Sequence, residues 1–341
     1  MNRLKNRRVI LAESPTGKIG THHFKIVTDE IAEPPEGHVL LRVILAQIAP
    51  AARAVMTSTV GFPSTKVGDG ILCAVVGEVI VTSPGAPPVG SIVTSFARWE
   101  EYATVPAAQV LPVVPGFPLT YQLGIFGLNG LTAYFGMTSV ADVKEGETVV
   151  VSGAAGGVGH IAGQIARVAG ARVIGITGSS EKNQRLEAGY GFAGTVNRRS
   201  PTFRDDLRRA IGTGADVYFD TAGGPVLDAV LPLMAHRGRI VCAGDSAQYD
   251  AKEDNTRQPG PRGIPQLVIS KGLRLEGIFV ADYLPGRPEA LRELADWLSD
   301  GRVKPAFEVR DGLDSAPEAL VALMSGENFG QALIRLSPDP R

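Results

Sequence analysis

Two patterns of hydrophobic and polar positions follow one another along the chain. From Val9 to about Pro118, short apolar runs at 39–46, 74–81, 91–96 and 102–105 are broken by clusters of Pro, Gly and Ser. Short strands punctuated by turns at this spacing predict a β-rich, barrel-like or folded-sheet region. From about Leu123 the pattern alternates. Runs at 148–151, 172–176, 194–197, 216–220, 239–243 and 273–279, the first of them β-branched throughout, predict strands. Helices are predicted between them at about 180–188, 201–211, 224–234 and 263–271. Six strands with crossover helices make up a complete doubly wound parallel sheet. A helix near 288–300, a strand at 306–309 and a helix near 315–324 close the chain. That tail is too short for a domain and is expected to return to the β-rich part. The expected fold is therefore α/β: a Rossmann domain over residues 123–302 and a discontinuous β-rich domain from 1–122 and 303–341.

Residues 148–169, TVVVSGAAGGVGHIAGQIARVA, put a strand, a small-residue turn and a helix in series. The helix carries Ile161, Ile165, Ala166 and Val168 on one face, and the strand at 172–176 completes a βαβ unit. Ala155, Gly156, Gly157, Val158 and Gly159 form the turn. Glycine there lets a pyrophosphate approach the backbone, and the N–H groups of the first helical turn favour an anion. Ala154 stands where the usual pattern has its first glycine. The reading is a dinucleotide site; a ligand-free strand-to-helix turn is the plainer alternative.

The end of the second strand decides which dinucleotide. NAD-binding folds place an acid there to grip the ribose hydroxyl. This chain reads Thr177-Gly178-Ser179-Ser180-Glu181-Lys182, with hydroxyls and a lysine but no acid at the strand tip. Arg198 and Arg199 follow the third strand and can add charge at the same edge. The set points to NADP(H), against the alternative of an ordinary surface lysine.

Composition narrows the rest. With 341 residues, 44% hydrophobic, 20% charged and a net charge of −1, the chain has room for two cores and no basic excess for nucleic acid. No run of about 20 apolar residues can span a membrane, and the basic start MNRLKNRRVILA lacks a signal-peptide core. The cytoplasm is the expected compartment. Cys73 and Cys242 are isolated, and His22, His23, His38, His160 and His236 show no ligand spacing, so no metal is expected. His22 and His23 read as a solvated turn. Tyr249 follows the fifth strand, at the edge where open α/β sheets bind ligands. A phenol there can donate to a developing oxyanion; packing against a cofactor ribose is the equal alternative. The polar, Pro/Gly-rich stretch between Asp250 and Pro265 reads as a mobile lid or as a long surface loop.

The segment 128–134, LNGLTAY, with GETVVVSGAAGGVGHIAGQIA, VIGITGSSEK, DVYFDTAGGPVLDAVLPLM, GRIVCAGDSAQYD and GENFGQALIRL, resembles the zinc-independent medium-chain dehydrogenase/reductases. Within them it is most similar to the NADP-dependent alkenal/one and prostaglandin reductases. The resemblance implies a GroES-like β domain split around a Rossmann domain, and NADPH-dependent reduction of a C=C bond conjugated to a carbonyl. It matches the family's phosphate-gripping lysine to Lys182, its tyrosine after the fifth strand to Tyr249, and its nicotinamide-side asparagine to Asn328. Thr132 falls on the nicotinamide side, while Tyr134 fits packing better. The family's NYK segment reads Asn197-Arg198-Arg199 here, and its DPYMR segment reads Ala49-Pro50-Ala51-Ala52-Arg53. Loss of the acid and the tyrosine implies a wider, more apolar pocket. The expected substrate is a small unsaturated carbonyl compound, and the family implies a homodimer. Quinone reduction, enoyl-thioester reduction and NADPH binding without turnover are the rivals.

Overall fold

The computed structural model describes residues 4–56, 64–250 and 264–340. The chain divides into two compact units. One is Met1–Leu123, Asp250–Glu253 and Phe307–Arg341; the other is Gly124–Tyr249 and Asp254–Ala306.

The first unit begins with β1 (Lys5–Leu11), β2 (Phe24–Glu30), β3 (His38–Ile48), α1 (Ala51–Ala54), β4 (Leu72–Val81), β5 (Ile92–Arg98), β6 (Tyr102–Pro106), β7 (Leu111–Pro112) and α2 (Leu119–Leu123). The second holds α3 (Leu128–Phe135), β8 (Thr148–Val151), α4 (Gly159–Val168), β9 (Arg172–Thr177), α5 (Ser180–Tyr190), β10 (Gly194–Asn197), α6 (Phe203–Ile211), β11 (Ala215–Asp220), α7 (Gly224–Val230), β12 (Met234–Cys242), α8 (Ile264–Lys271), β13 (Arg274–Gly277) and α9 (Arg287–Ser299). β14 (Phe307–Asp311), α10 (Ala316–Met324) and β15 (Gln331–Arg335) return to the first unit.

In the first unit β1 and β2 form an antiparallel pair, and the larger sheet runs β14-β15-β3-β4-β5-β7, with β6 also paired to β3. β3 sits centrally between β15, β4 and β6 and is apolar almost throughout, because both of its faces are covered. Val9 and Leu11 of β1 enter the same core as Trp99, whose indole N–H reaches the carbonyl of Gln47 at 3.1 Å. The β1–β2 hairpin and β15 were not among the expected strands. The expectation of a solvated His22–His23 turn needs correction for His23. It lies in a single 3₁₀ turn, buried, with its ring nitrogen 2.9 Å from the Gly20 carbonyl.

In the second unit the sheet is parallel, in the order β10-β9-β8-β11-β12-β13. This is the doubly wound order, and it reverses between β8 and β11, opening a crevice at the strands' carboxyl ends. One expectation changes. α4 is not one-faced: Gly159 through Ala166 are all buried. Small side chains allow this, since a Cβ on Gly163 would stand 2.2 Å from the Phe192 ring. The polar members are satisfied internally. The Gln164 side chain donates to the Lys304 carbonyl at 3.0 Å and accepts from the Lys304 N–H at 2.8 Å.

Candidate functional site

The carboxyl end of β8 leads into the glycine turn. Gly153 adopts φ +54°, a left-handed conformation that favours glycine. A Cβ on Gly159 would fall 2.3 Å from the Gly153 carbonyl oxygen, and one on Gly156 would fall 3.1 Å from it. Neither α4 nor the turn tolerates a side chain at Gly159. Ala154, the departure from the usual pattern, is fully buried, with Gly175 of β9 close to its methyl. A Cβ on Gly175 would lie 3.0 Å from the Ala154 methyl and 2.9 Å from the Phe192 ring, so glycine at 175 makes room for both side chains. Val158 precedes α4, and no side chain caps that helix N-terminus. Ala155 is buried beside it.

His160 holds this turn from behind. Its Nδ1–H donates to the Gly156 carbonyl at 2.6 Å, and its Nε2 accepts the Ala306 N–H at 3.0 Å. This assigns the neutral tautomer, because one ring nitrogen must carry the proton and the other must not. Burial pushes its pKa down to about 4. The role was not foreseen, since a lone histidine on an apolar helix carries no distinctive spacing.

At the end of β9, Thr177 is buried and donates its hydroxyl to Asn183 Oδ1 at 2.5 Å. Ser179 caps α5, its Oγ accepting the Lys182 N–H at 3.3 Å. The capping places Lys182 in the first turn of α5. Gly178 between them lies beneath two guanidinium groups. A Cβ there would be 3.6 Å from Arg199 Nε and 3.7 Å from Arg198 Nε. Burial and the neighbouring Arg199 charge both hold Arg198 below its ordinary pKa. Two cations converging on one glycine, with a lysine on the adjoining helical turn, suit a phosphate dianion. Thr177, Gly178, Ser179, Lys182 and Arg198 thus form one cluster beside the turn of Gly156, Gly157, Val158 and Gly159.

Tyr249 follows β12 and a short 3₁₀ turn, Ser246–Gln248, at the same carboxyl edge. Its phenolic oxygen accepts the Asp245 N–H at 3.4 Å, and burial raises its pKa, so the hydroxyl stays protonated at neutral pH. Cys242 ends β12 in register with Asp220 on β11. Thr132 is half-buried on α3, while Tyr134 donates to Glu293 at 3.0 Å and packs on Trp297, both within the second unit.

In the first unit Ala51 is exposed at the start of α1, whereas Arg53 is completely buried. Arg53 Nε donates to Asp250 Oδ1 at 3.0 Å and Nη2 donates to the Gly17 carbonyl at 2.8 Å. A buried guanidinium of this kind needs such a partner. Asn328 is also buried in this unit, its amide donating to the Gly330 carbonyl at 2.9 Å. Residues 251–263, most of the expected lid, lie outside the described residues. Among the described residues no group of three or more His, Cys, Asp or Glu can hold a metal ion, and no helix is long and apolar enough to cross a membrane.

Comparison with known proteins places this geometry. Residues 157–300 match a family model described as zinc-binding dehydrogenase, and residues 7–113 match one for the N-terminal domain of oxidoreductases. The chain is 33% identical over 342 residues to the NADPH-dependent curcumin reductase of Escherichia coli, covering 98% of both chains. It is 34% identical over 345 residues to the NADP(+)-dependent 2-alkenal reductase of Nicotiana tabacum, again covering 98% of both. The crystal structure of CurA from Vibrio vulnificus in complex with NADPH superposes with a TM-score of 0.92 at 29% identity, covering 98% of this chain and 100% of that one. The likeness runs through both units, and the chain belongs to the medium-chain dehydrogenase/reductase superfamily, within its NADP-dependent alkenal/one reductase group.

Proposed function

We propose that this chain is an NADPH-dependent, metal-free reductase of the C=C bond of α,β-unsaturated aldehydes and ketones. The observation that carries the reading is the cationic end of β9. Gly178 lies beneath Arg198 and Arg199, and no acid stands at the strand tip, beside a glycine turn with no room for a Cβ at Gly159. A dinucleotide bearing a 2′-phosphate fits both features. The full-length likeness to a curcumin reductase and a 2-alkenal reductase supports the same chemistry.

NADPH, when bound, would supply a hydride to the β-carbon, and the α-carbon would then take a proton. The chain's own contribution is orientation and charge. Gly156, Gly157, Val158 and Gly159, with the buried Ala155, would hold the pyrophosphate at the N-terminus of α4. Thr177, Gly178, Ser179, Lys182, Arg198 and Arg199 hold the 2′-phosphate. Thr132 and Asn328 are assigned to the nicotinamide half by their match to the family. Tyr249, protonated at neutral pH, donates to the developing oxyanion. A cytoplasmic location completes the reading.

The chain is further proposed to form a homodimer. β13 is the edge of its sheet and all four of its residues are exposed, with Ile269 and Phe279 exposed nearby. An open, partly apolar edge is a template for pairing with a second copy.

The test is NADPH oxidation followed at 340 nm, the nicotinamide absorbance, with an aliphatic enal, a cyclic enone, a para-quinone and an enoyl thioester, each repeated with NADH. Saturated carbonyl products with NADPH preferred are the expected result. Turnover of the quinone or the thioester alone would replace this substrate class. NADPH binding without oxidation by any acceptor would replace the enzyme reading itself.

A further inference from the structure

The chain buries a carboxylate directly behind the glycine turn. Asp220, the last residue of β11, is 2% exposed, and a single oxygen, Oδ1, accepts four hydrogen bonds. They come from the Ser152 hydroxyl at 2.8 Å, the Tyr218 hydroxyl at 2.7 Å, and the N–H groups of Ala222 and Gly223 at 2.9 Å each. All four donors are neutral. Tyr218 and Asp220 share one face of the strand because they are two residues apart. Burying a carboxylate costs free energy, and fixed dipoles aimed at it offset that cost only while they keep their places.

The segments so joined are the ones that frame the turn. Ser152 is the residue between β8 and Gly153. Its backbone N–H donates to the Phe219 carbonyl at 3.1 Å, and its Oγ accepts the Thr221 N–H at 2.9 Å. The Thr221 hydroxyl returns to the Ser152 carbonyl at 2.9 Å. It also presses on Gly153, where a Cβ would stand 2.4 Å from Thr221 Oγ1. The path of the chain into the turn is therefore set from β11, across the point where the strand order reverses.

We propose that Asp220 is the positioning residue of the pyrophosphate cradle: it fixes Ser152 and the Thr221–Gly223 backbone so that the turn from Gly153 to Gly159 is preformed before the dinucleotide arrives. This rests on the cofactor assignment above. Preorganisation of this kind raises affinity by removing the ordering cost from binding. The phosphate cluster at Gly178, on the far side of β8, is reached by none of these hydrogen bonds, so the two halves of the nucleotide site separate experimentally.

The experiment compares Asp220→Asn with the wild-type chain in two binding assays, NADPH by its fluorescence and adenosine 2′-monophosphate by calorimetry. The second probe carries the 2′-phosphate but no pyrophosphate. A neutral acceptor in place of a charged one is expected to weaken NADPH by about tenfold or more while leaving the monophosphate within about twofold. If Asp220→Asn does not fold, Ser152→Ala and Tyr218→Phe, each removing one donor, are expected to show the same selectivity in smaller measure. Unchanged NADPH binding, or equal losses for both probes, would overturn the proposal. A wild-type chain that binds neither probe would overturn the cofactor assignment, and this proposal with it.

Discussion

Lys182 and Tyr249 are proposed to do different work at one sheet edge, and each proposal has its own measurable signature. Lys182 belongs to the proposed phosphate cluster with Arg198 and Arg199. Lys182→Ala is expected to weaken NADPH by roughly one to two decades, the worth of one charged hydrogen bond, and to leave NADH nearly unchanged. Binding titrations with both nucleotides check this, and equal losses would remove the assignment. Tyr249 is proposed as an oxyanion donor, so Tyr249→Phe is expected to lower kcat by about tenfold or more with the Kd of NADPH held. A steady-state profile against an enone, with a separate NADPH titration, reads the two effects apart. Among the site residues, glycine placement was legible because sterics leave a mark in composition. Arg53 and His160 were not. A buried arginine held by Asp250 and a buried histidine bridging Gly156 and Ala306 depend on partners distant in the chain.

Elements were read with uneven success, for physical reasons. β8 falls where its β-branched run predicts it, because a central parallel strand covered on both faces is apolar almost without interruption. β1 was missed because only Val9 and Leu11 of its seven residues are fully buried, too few to show an alternation. β15 is apolar along its middle, but its burial rests on pairing with β3 and β14, which are distant or unpaired in the sequence pattern. α4 was read as one-faced because Gly163, Gln164 and His160 look like a polar flank. They are buried through a ring contact and internal hydrogen bonds. That burial predicts a pH dependence. The folded chain holds His160 neutral, with its pKa down at about 4, whereas the unfolded chain takes up a proton near 6.5. Its contribution to stability is full above about pH 6.5 and is lost as pH falls toward 4, by on the order of 3 kcal/mol. Urea midpoints at pH 7 and pH 4.5 are expected to fall further for the wild type than for His160→Gln, which lacks the titrating ring.

For the molecule as a whole, the division into two units with a returning tail follows from a change of texture visible before any coordinates. The open edge at β13 does not: the strand itself is expected at 273–279, but a strand's place in a sheet is settled by pairing. The proposed homodimer gives that edge a test. Leu275→Lys with Phe279→Lys is expected to shift the chain to monomer in sedimentation velocity, while wild type sediments as a dimer.

The register of Cys242 against Asp220 has a consequence for survival in the company of the proposed substrates. Conjugated aldehydes alkylate thiolates, so a catalyst that handles them is exposed to poisoning by its own reactants. Of the chain's two cysteines, Cys73 is buried, and Cys242, though exposed, has its thiol pKa raised by desolvation and then by the charges of Asp220 and Asp245. The acids beside Cys242 thus also suppress it as a nucleophile. Incubation of the native chain with acrolein at pH 7.5 is expected to leave Cys242 largely unmodified by mass spectrometry. Asp245→Asn, which removes one of those charges, is expected to speed its alkylation several-fold.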